Sequence, residues 1–430
     1  MSEPEPTPGC RTTVTRRRFI AGASVVAAGG VASRVGVPDS QANPSAGVLP
    51  RVALPVADGG LPVRQFAWGA TLRTDAHGNT IAPQYDRLLL FDVIDKPKPQ
   101  YARILEASLR RLEHAFRWGP GGLLFTAGWG PSYFDLIGAK SPIPPAKGLS
   151  DFELPAIDHY HLCLHLACDN ERRLQDVEAA LVHGAPLPGV HGNLSLASVL
   201  RWRETRTGFT GPGLPAAHQD AGGIPPGRPV STSAPLFMGF KSNLKRNQAT
   251  EDDIAIPNGP FAEGTTMHVS YMRLRLDSWY RNLDQRERVA RMYAPEVTPQ
   301  EAAHFTTDAE SDPQRLDQAI RRYGVIGHAQ TAARARRKGR PVILRRDFNT
   351  VDGGQAGLHF VAVQRTIEDF VKTRTAMNAA SAQLQNPAIT DTVNNGINEF
   401  IFVLKRANYI LPARPARSFP MLPGRDEALT

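Results

Sequence analysis

The chain has 430 residues, 41% of them apolar, and a formal net charge of +9. That length suffices for two domains and a large core, and nothing past the N-terminal segment reaches the ~18 consecutive apolar residues of a membrane span. The charge is spread through mixed-sign stretches. Its densest cluster, Arg334 to Arg340, lacks the interleaved aromatics and motifs of a nucleic-acid binder and reads as a solvated helix end and loop.

Residues 1–42 carry five arginines against three acids. Within them Thr15-Arg16-Arg17-Arg18-Phe19-Ile20 precedes a weakly apolar, acid-free run from Ala21 to Ala32. This pattern predicts a twin-arginine export signal, with small-residue cleavage sites near Ala32 or Ala42. The partner is then the twin-arginine translocase and the destination periplasmic or extracellular. That route carries folded proteins, which suits a chain that must take up a cofactor before leaving the cytoplasm. Cysteine use agrees. Cys10 lies in the signal, Cys163 and Cys168 are set to opposite faces of one strand, and no CxxC or CxxCH occurs.

Two further units are predicted, 43–225 and 226–430. In the first, Gln65–Gly69, Arg87–Asp92, Leu123–Gly128 and His159–Ala167 read as strands. Pro99–Phe116 (apolar at Ile104, Leu105, Leu109, Leu112 and Phe116) and Asn170–His183 read as helices. On the strand at 159, His159, His161, Cys163 and His165 share one face. Neighbours at i, i+2 stand ~7 Å apart, which favours a half-buried polar face over a metal site. Residues 184–236 are rich in Gly and Pro and read as linker. In the second unit Thr265–Arg275, Leu358–Val363 and Phe400–Tyr409 read as strands. Asp277–Tyr293, Pro313–Tyr323 and Ile367–Leu384 read as helices.

The stretch Gly324–Arg365 organises the second unit. His328 follows Val325-Ile326, and seventeen residues later Arg345-Arg346 closes the run Ile343-Leu344. A neutral imidazole is a good iron ligand, and an arginine that stays protonated holds negative charge developing on oxygen. Together they suggest a haem pocket.

This stretch, with Gly357-Leu358-His359-Phe360-Val361 and Gln364-Arg365, resembles the C-terminal half of the DyP-type (dye-decolourising) haem peroxidases. Leu123 to Phe134 resembles that family's GFGPSLF strand and turn. Gly239-Phe240-Lys241-Ser242-Asn243 stands where the family has its GFxDG motif, and Thr265–Tyr280 and Asn398-Glu399-Phe400-Ile401 are similar to later segments. The collinear resemblance spans roughly residues 60 to 415. It implies an α+β fold of duplicated ferredoxin-like domains with antiparallel sheets packed face to face, as in a dimeric α/β barrel, and non-covalent haem b. It also implies hydrogen peroxide and an unknown reducing substrate as partners; whether the chain forms a homo-oligomer stays open. His328 is the implied iron ligand, with His268 as its rival. Glu399 is the implied acceptor of its other N–H, and Arg345 the implied catalytic arginine. Arg346 is set to pair with a haem propionate, and Phe240, Leu358 and Phe360 to form apolar walls. The family's aspartate is replaced by Ser242, a hydroxyl too weak as acid or base near neutral pH. Asp347 is the nearest acid in sequence that could stand in, with Glu251, Asp252 and Asp253 further off. Two other readings stay open: a haem- or iron-handling protein with weak or no peroxidase activity, and a relative without haem in which His328 is a core residue.

Overall fold

The computed structural model describes residues 60–304 and 309–429. The export signal expected over residues 1–42 lies outside them. The first half runs β1 (Tyr85–Val93), α1 (Pro99–Ala115), β2 (Leu124–Trp129), α2 (Pro131–Ile137), the short β3 (Ala156–Ile157), β4 (Leu162–Cys168), α3 (Glu171–His183) and β5 (Leu200–Phe209). The second half contributes β6 (Thr265–Leu274), β7 (Ile343–Arg345), β8 (Phe348–Thr350), β9 (Gly357–Gln364) and β10 (Ile401–Leu411).

Local chemistry explains these elements. α1 starts with Pro99 at its first turn, where a missing N–H costs nothing, and buries Ala102, Leu105, Leu109 and Leu112 along one stripe. α3 is capped by the Asn170 side chain, which accepts from the Arg173 N–H, and stops at Gly184 in the left-handed region.

Strand order is β5–β1–β4–β2 in the first half and β10–β6–β9–β8 in the second, both antiparallel. Each is the 4-1-3-2 order of a ferredoxin-like βαββαβ unit, so the expected duplication is present. The halves meet at both edges, through Phe209 opposite Asn349 (β5–β8) and Ile410 opposite Trp129 (β10–β2). The sheet thereby closes into a barrel. Its interior is filled from both sides by Leu88, Leu90 and Cys163 against Met267, Val269, Val361, Val363 and Tyr409. Side chains alternate along a strand, so His268, Ser270 and Met272 of β6 and Leu358 and Phe360 of β9 turn outward. A bulge between Val403 and Lys405 of β10 shifts the alternation. Val403 therefore faces out while Lys405 reaches the interior and bonds Glu204.

Four expectations change. Gln65–Gly69 is a turn: the Gln65 amide is buried, bonding the Ala127 N–H and carbonyl and the Pro412 carbonyl. The supposed linker 184–236 contains β5, whose Arg-Trp-Arg-Glu-Thr-Arg-Thr sequence hides strand periodicity because both faces are polar. The helix expected over Asp277–Tyr293 breaks at Leu283, where Asp284 caps a new helix by accepting from the Glu287 N–H. The helix from Ile367 breaks after Ala376, with Ala379 at φ +53°. At the histidine strand, pairing begins only at Leu162. His161 Nδ1 accepts from the Val93 N–H, and His165 lies 2.8 Å from the buried Asp86.

Candidate functional site

Outside the barrel, the outward faces of β6, β9 and β10 form the floor of the main cavity. The helices His328–Ala333 and Ile367–Ala376 and the segment Leu236–Leu244 close over it. Counted out through its open mouth, the space between its walls is about 1590 Å³. Phe240, Met272, Leu358, Phe360, Phe370 and Val403 give it apolar walls.

His328 lines this cavity as the first residue of a short helix. Two glycines place it. Gly327 passes so close to the end of helix Gln285–Met292 that a Cβ there would lie 1.9 Å from the Tyr293 carbonyl, and one on Gly396 (φ +56°) would lie 2.9 Å from the His328 Cα. The imidazole is enclosed by protein yet open to the cavity, and its Nδ1 has no hydrogen-bond partner among the described residues. Burial, reinforced by the Arg345 and Arg374 charges, pushes its pKa down to about 3. At neutral pH it is an uncharged ring with free lone-pair capacity, as a metal ligand must be. His268 is excluded from that part. It is stacked at 3.6 Å on Phe370, and both ring nitrogens are engaged, by Asn408 and Ser270 at 2.7 Å each.

Arg345 and Asp347 reach the same cavity from the end of β7 and just beyond it. Two residues apart on extended chain, they share a face, and Arg346 between them points the other way. Gln248 fixes the Arg345 backbone, accepting its N–H at 2.8 Å, and the guanidinium donates to the carbonyls of Ser242 and Asn247. Its Nε is buried without a partner. Ser242, Phe240 and Lys241 line the cavity through the segment Leu236–Leu244.

Two expected residues lie elsewhere. Arg346 donates to the Phe66 carbonyl, lies 3.8 Å over the Trp68 ring and faces Glu251 at 3.9 Å, so it cannot meet a group in the cavity. Glu399 is on the turn Asn398–Phe400, off the cavity; its charge is felt by Arg291, and it makes no bond to His328. Residues that sequence reasoning missed include Arg374 and Glu153. The Arg374 guanidinium, on the cavity wall, bonds Glu153 through Nε at 2.9 Å, and the same carboxylate accepts from Arg406 at 2.7 Å. No spacing could reveal this cluster, since Glu153 and Arg374 are 221 positions apart.

The residues present fit a haem. The cavity has room for a flat macrocycle, apolar walls, a neutral histidine with an unused ring nitrogen, and buried polar atoms on Arg345 and Asp347 without a partner among the described residues.

Fold and site together define an α+β barrel of two ferredoxin-like halves with a histidine-lined cavity. The model of DUF7405, a family of unknown function, matches residues 83–413, and the chain belongs to that family. No curated protein matches it. Among solved structures, a DyP-type peroxidase from Cellulomonas bogoriensis is 18% identical with a TM-score of 0.55, covering 80% of this chain and 95% of that one. A dye-decolorizing protein from Vibrio cholerae is 13% identical at 0.54, over 81% and 98%. A DypB variant from Rhodococcus jostii in complex with heme is 13% identical at 0.54, over 79% and 96%. At these identities the likeness establishes the fold.

Proposed function

We propose that this chain is a haem b peroxidase of the DyP type, exported by the twin-arginine translocase to the periplasm or beyond. It reduces hydrogen peroxide at the expense of an unidentified donor. The observation that carries this reading is the uncharged His328, with Nδ1 unpartnered, opening onto the same large apolar cavity as Arg345. Haem bound there would supply the redox chemistry. His328 would hold the iron, and Phe240, Leu358 and Phe360 would exclude water from the faces of the ring. Arg345, fixed by the Ser242 and Asn247 carbonyls, would hold negative charge developing on peroxide oxygen. A second reading, a haem- or iron-handling protein with little turnover, is favoured by Ser242 in place of the family's aspartate and by the lack of a carboxylate on His328 Nδ1.

The test is the absorption spectrum of the protein purified with haem available, before and after stoichiometric peroxide, beside His328→Ala. A Soret band that changes within seconds of peroxide addition, and is lost in H328A, is expected. A Soret band indifferent to peroxide turns the assignment to haem handling. Wild-type protein without a Soret band, or haem content unchanged in H328A, overturns it.

A further inference from the structure

The acid missing at position 242 has a replacement within the cavity wall. Two carboxylates line the cavity, Glu153 and Asp347. Glu153 is spent, with one oxygen on Arg374 and the other on Arg406. Asp347 is not: its Oδ1 is buried with no partner among the described residues, while the Ser242 side chain hydrogen-bonds the carboxyl. The acids closest to Ser242 in sequence all point elsewhere. Glu251 accepts from the Gly69 N–H, Asp252 pairs with Arg64, and the Asp253 carboxylate accepts from the Thr250 N–H and pairs with Arg340. Ser242 is tied to the same cluster through its carbonyl, which accepts from Arg345. Arg345, Asp347 and Ser242 thus form one unit on one wall, assembled from segments about a hundred residues apart.

We propose that Asp347 is the proton-exchanging acid of this site, oriented by the Ser242 hydroxyl, so that the acid missing at position 242 is supplied from just beyond β7. This rests on the peroxidase reading. The Asp347 carboxylate takes the proton from one oxygen of hydrogen peroxide and delivers it to the other. As the O–O bond breaks, the second oxygen leaves as water carrying both peroxide hydrogens; haem held in the cavity would supply the two electrons and keep the first oxygen. Burial pushes the Asp347 carboxyl up, against the pull of Arg345 and Ser242. A carboxyl raised towards the working pH is a better exchanger than an ordinary one.

The experiment compares haem-loaded wild type, D347N, S242A and the double variant S242D/D347N by haem content and by the rate of reaction with peroxide across pH. In parallel, the haem-free wild type and D347N are followed by carboxyl NMR with ¹³C-labelled aspartate. D347N should keep its haem and lose about 10²-fold or more in rate, the span of general acid–base catalysis. S242D/D347N should recover most of that loss. S242A, which removes a hydrogen bond that holds the carboxyl down, should move the acid limb of the pH profile upward. In the haem-free chain the buried Asp86 should titrate above the ordinary range beside a second raised aspartate, and the second should vanish in D347N. A haem-loaded D347N with wild-type rate and pH profile overturns the assignment, as does a haem-free chain in which no raised aspartate disappears with D347N. Wild type that takes up no haem sinks the peroxidase reading instead, and the haem-free titration then still decides whether Asp347 is the raised acid.

Discussion

Glu204 shows how single charged side chains set the behaviour of the barrel interior. It accepts from the Tyr160 hydroxyl, from Arg206 and from Lys405. Burial alone would raise its pKa, but the Arg206 and Lys405 contacts outweigh it and hold the group down to about 2. In the unfolded chain a glutamate titrates near ~4.3. The folded state therefore binds this proton more weakly, and the stability it confers is complete above that value and lost as pH falls towards 2. Thermal unfolding between pH 7 and pH 3 should show wild type losing more of its melting temperature than Glu204→Gln. Parallel curves would mean that this carboxylate does not drive the acid transition. At the same scale, Gly396 backs the His328 main chain at a positive φ. Gly396→Ala should displace the imidazole and weaken haem retention at least tenfold in a haem-transfer assay, with little change in secondary structure by circular dichroism. Unchanged retention would show that the close approach does not position the ring.

Among the elements, α1 is clasped to the C-terminal segment by buried charge. The Arg417 guanidinium, 0% exposed, bonds Glu106 at 3.0 and 3.1 Å and Glu113 at 2.5 and 2.9 Å; Arg414 adds a bond to Glu113 and Ser418 one to Glu106. A buried pair gains little over apolar packing, yet removing one partner strands the other. Arg417→Ala should cost about 3–5 kcal/mol in denaturant unfolding; a loss under about 1 kcal/mol would mean that water replaces the guanidinium. The elements also show what the sequence could and could not tell. α1, α3, β2, β6 and β9 were legible because each has one apolar face of the right period. β5 was not: its neighbours supply the pairing, and Arg206 and Glu204 are paid for by partners from Asp158 and Lys405 that no local window contains. The segment at 65 looked like a strand because Phe66, Ala67 and Trp68 are apolar, but it is a plug whose Gln65 amide ties β2 to the end of β10.

For the whole molecule, the candidate site was half legible. His328, Arg345 and Asp347 lie within twenty residues, and a resemblance suffices to align them. That Arg346 turns away follows from strand alternation once Arg345 is placed, but that Ser242 meets Asp347 depends on closure of the barrel, which sequence spacing does not encode. That closure is narrow at both edges, one residue pair at each. Between β5 and β8 it rests on one residue pair, Phe209 with Asn349, and on the Asn349 amide. The amide donates to the Phe209 carbonyl at 3.0 Å and the Pro235 carbonyl at 3.2 Å, and accepts from the Phe237 N–H at 2.8 Å. Asn349 thus joins the two halves and anchors the segment that carries Phe240 and Ser242 into the cavity. An alanine there strips the Phe237 N–H and the Phe209 carbonyl of this amide, while the Pro235 carbonyl keeps the Gly211 N–H; each buried group so stripped costs about 1–3 kcal/mol, less whatever water can enter. Asn349→Ala should therefore lose about 3 kcal/mol or more in equilibrium unfolding. Hydrogen exchange should rise at the Phe237 amide and along residues 236–244, while β1 and β4 stay protected. If exchange instead rose evenly over both halves, the seam would be no weaker than the sheet it joins. If stability fell by less than about 0.5 kcal/mol, the barrel would be held shut by its apolar interior alone, and the position of Ser242 would owe nothing to this amide.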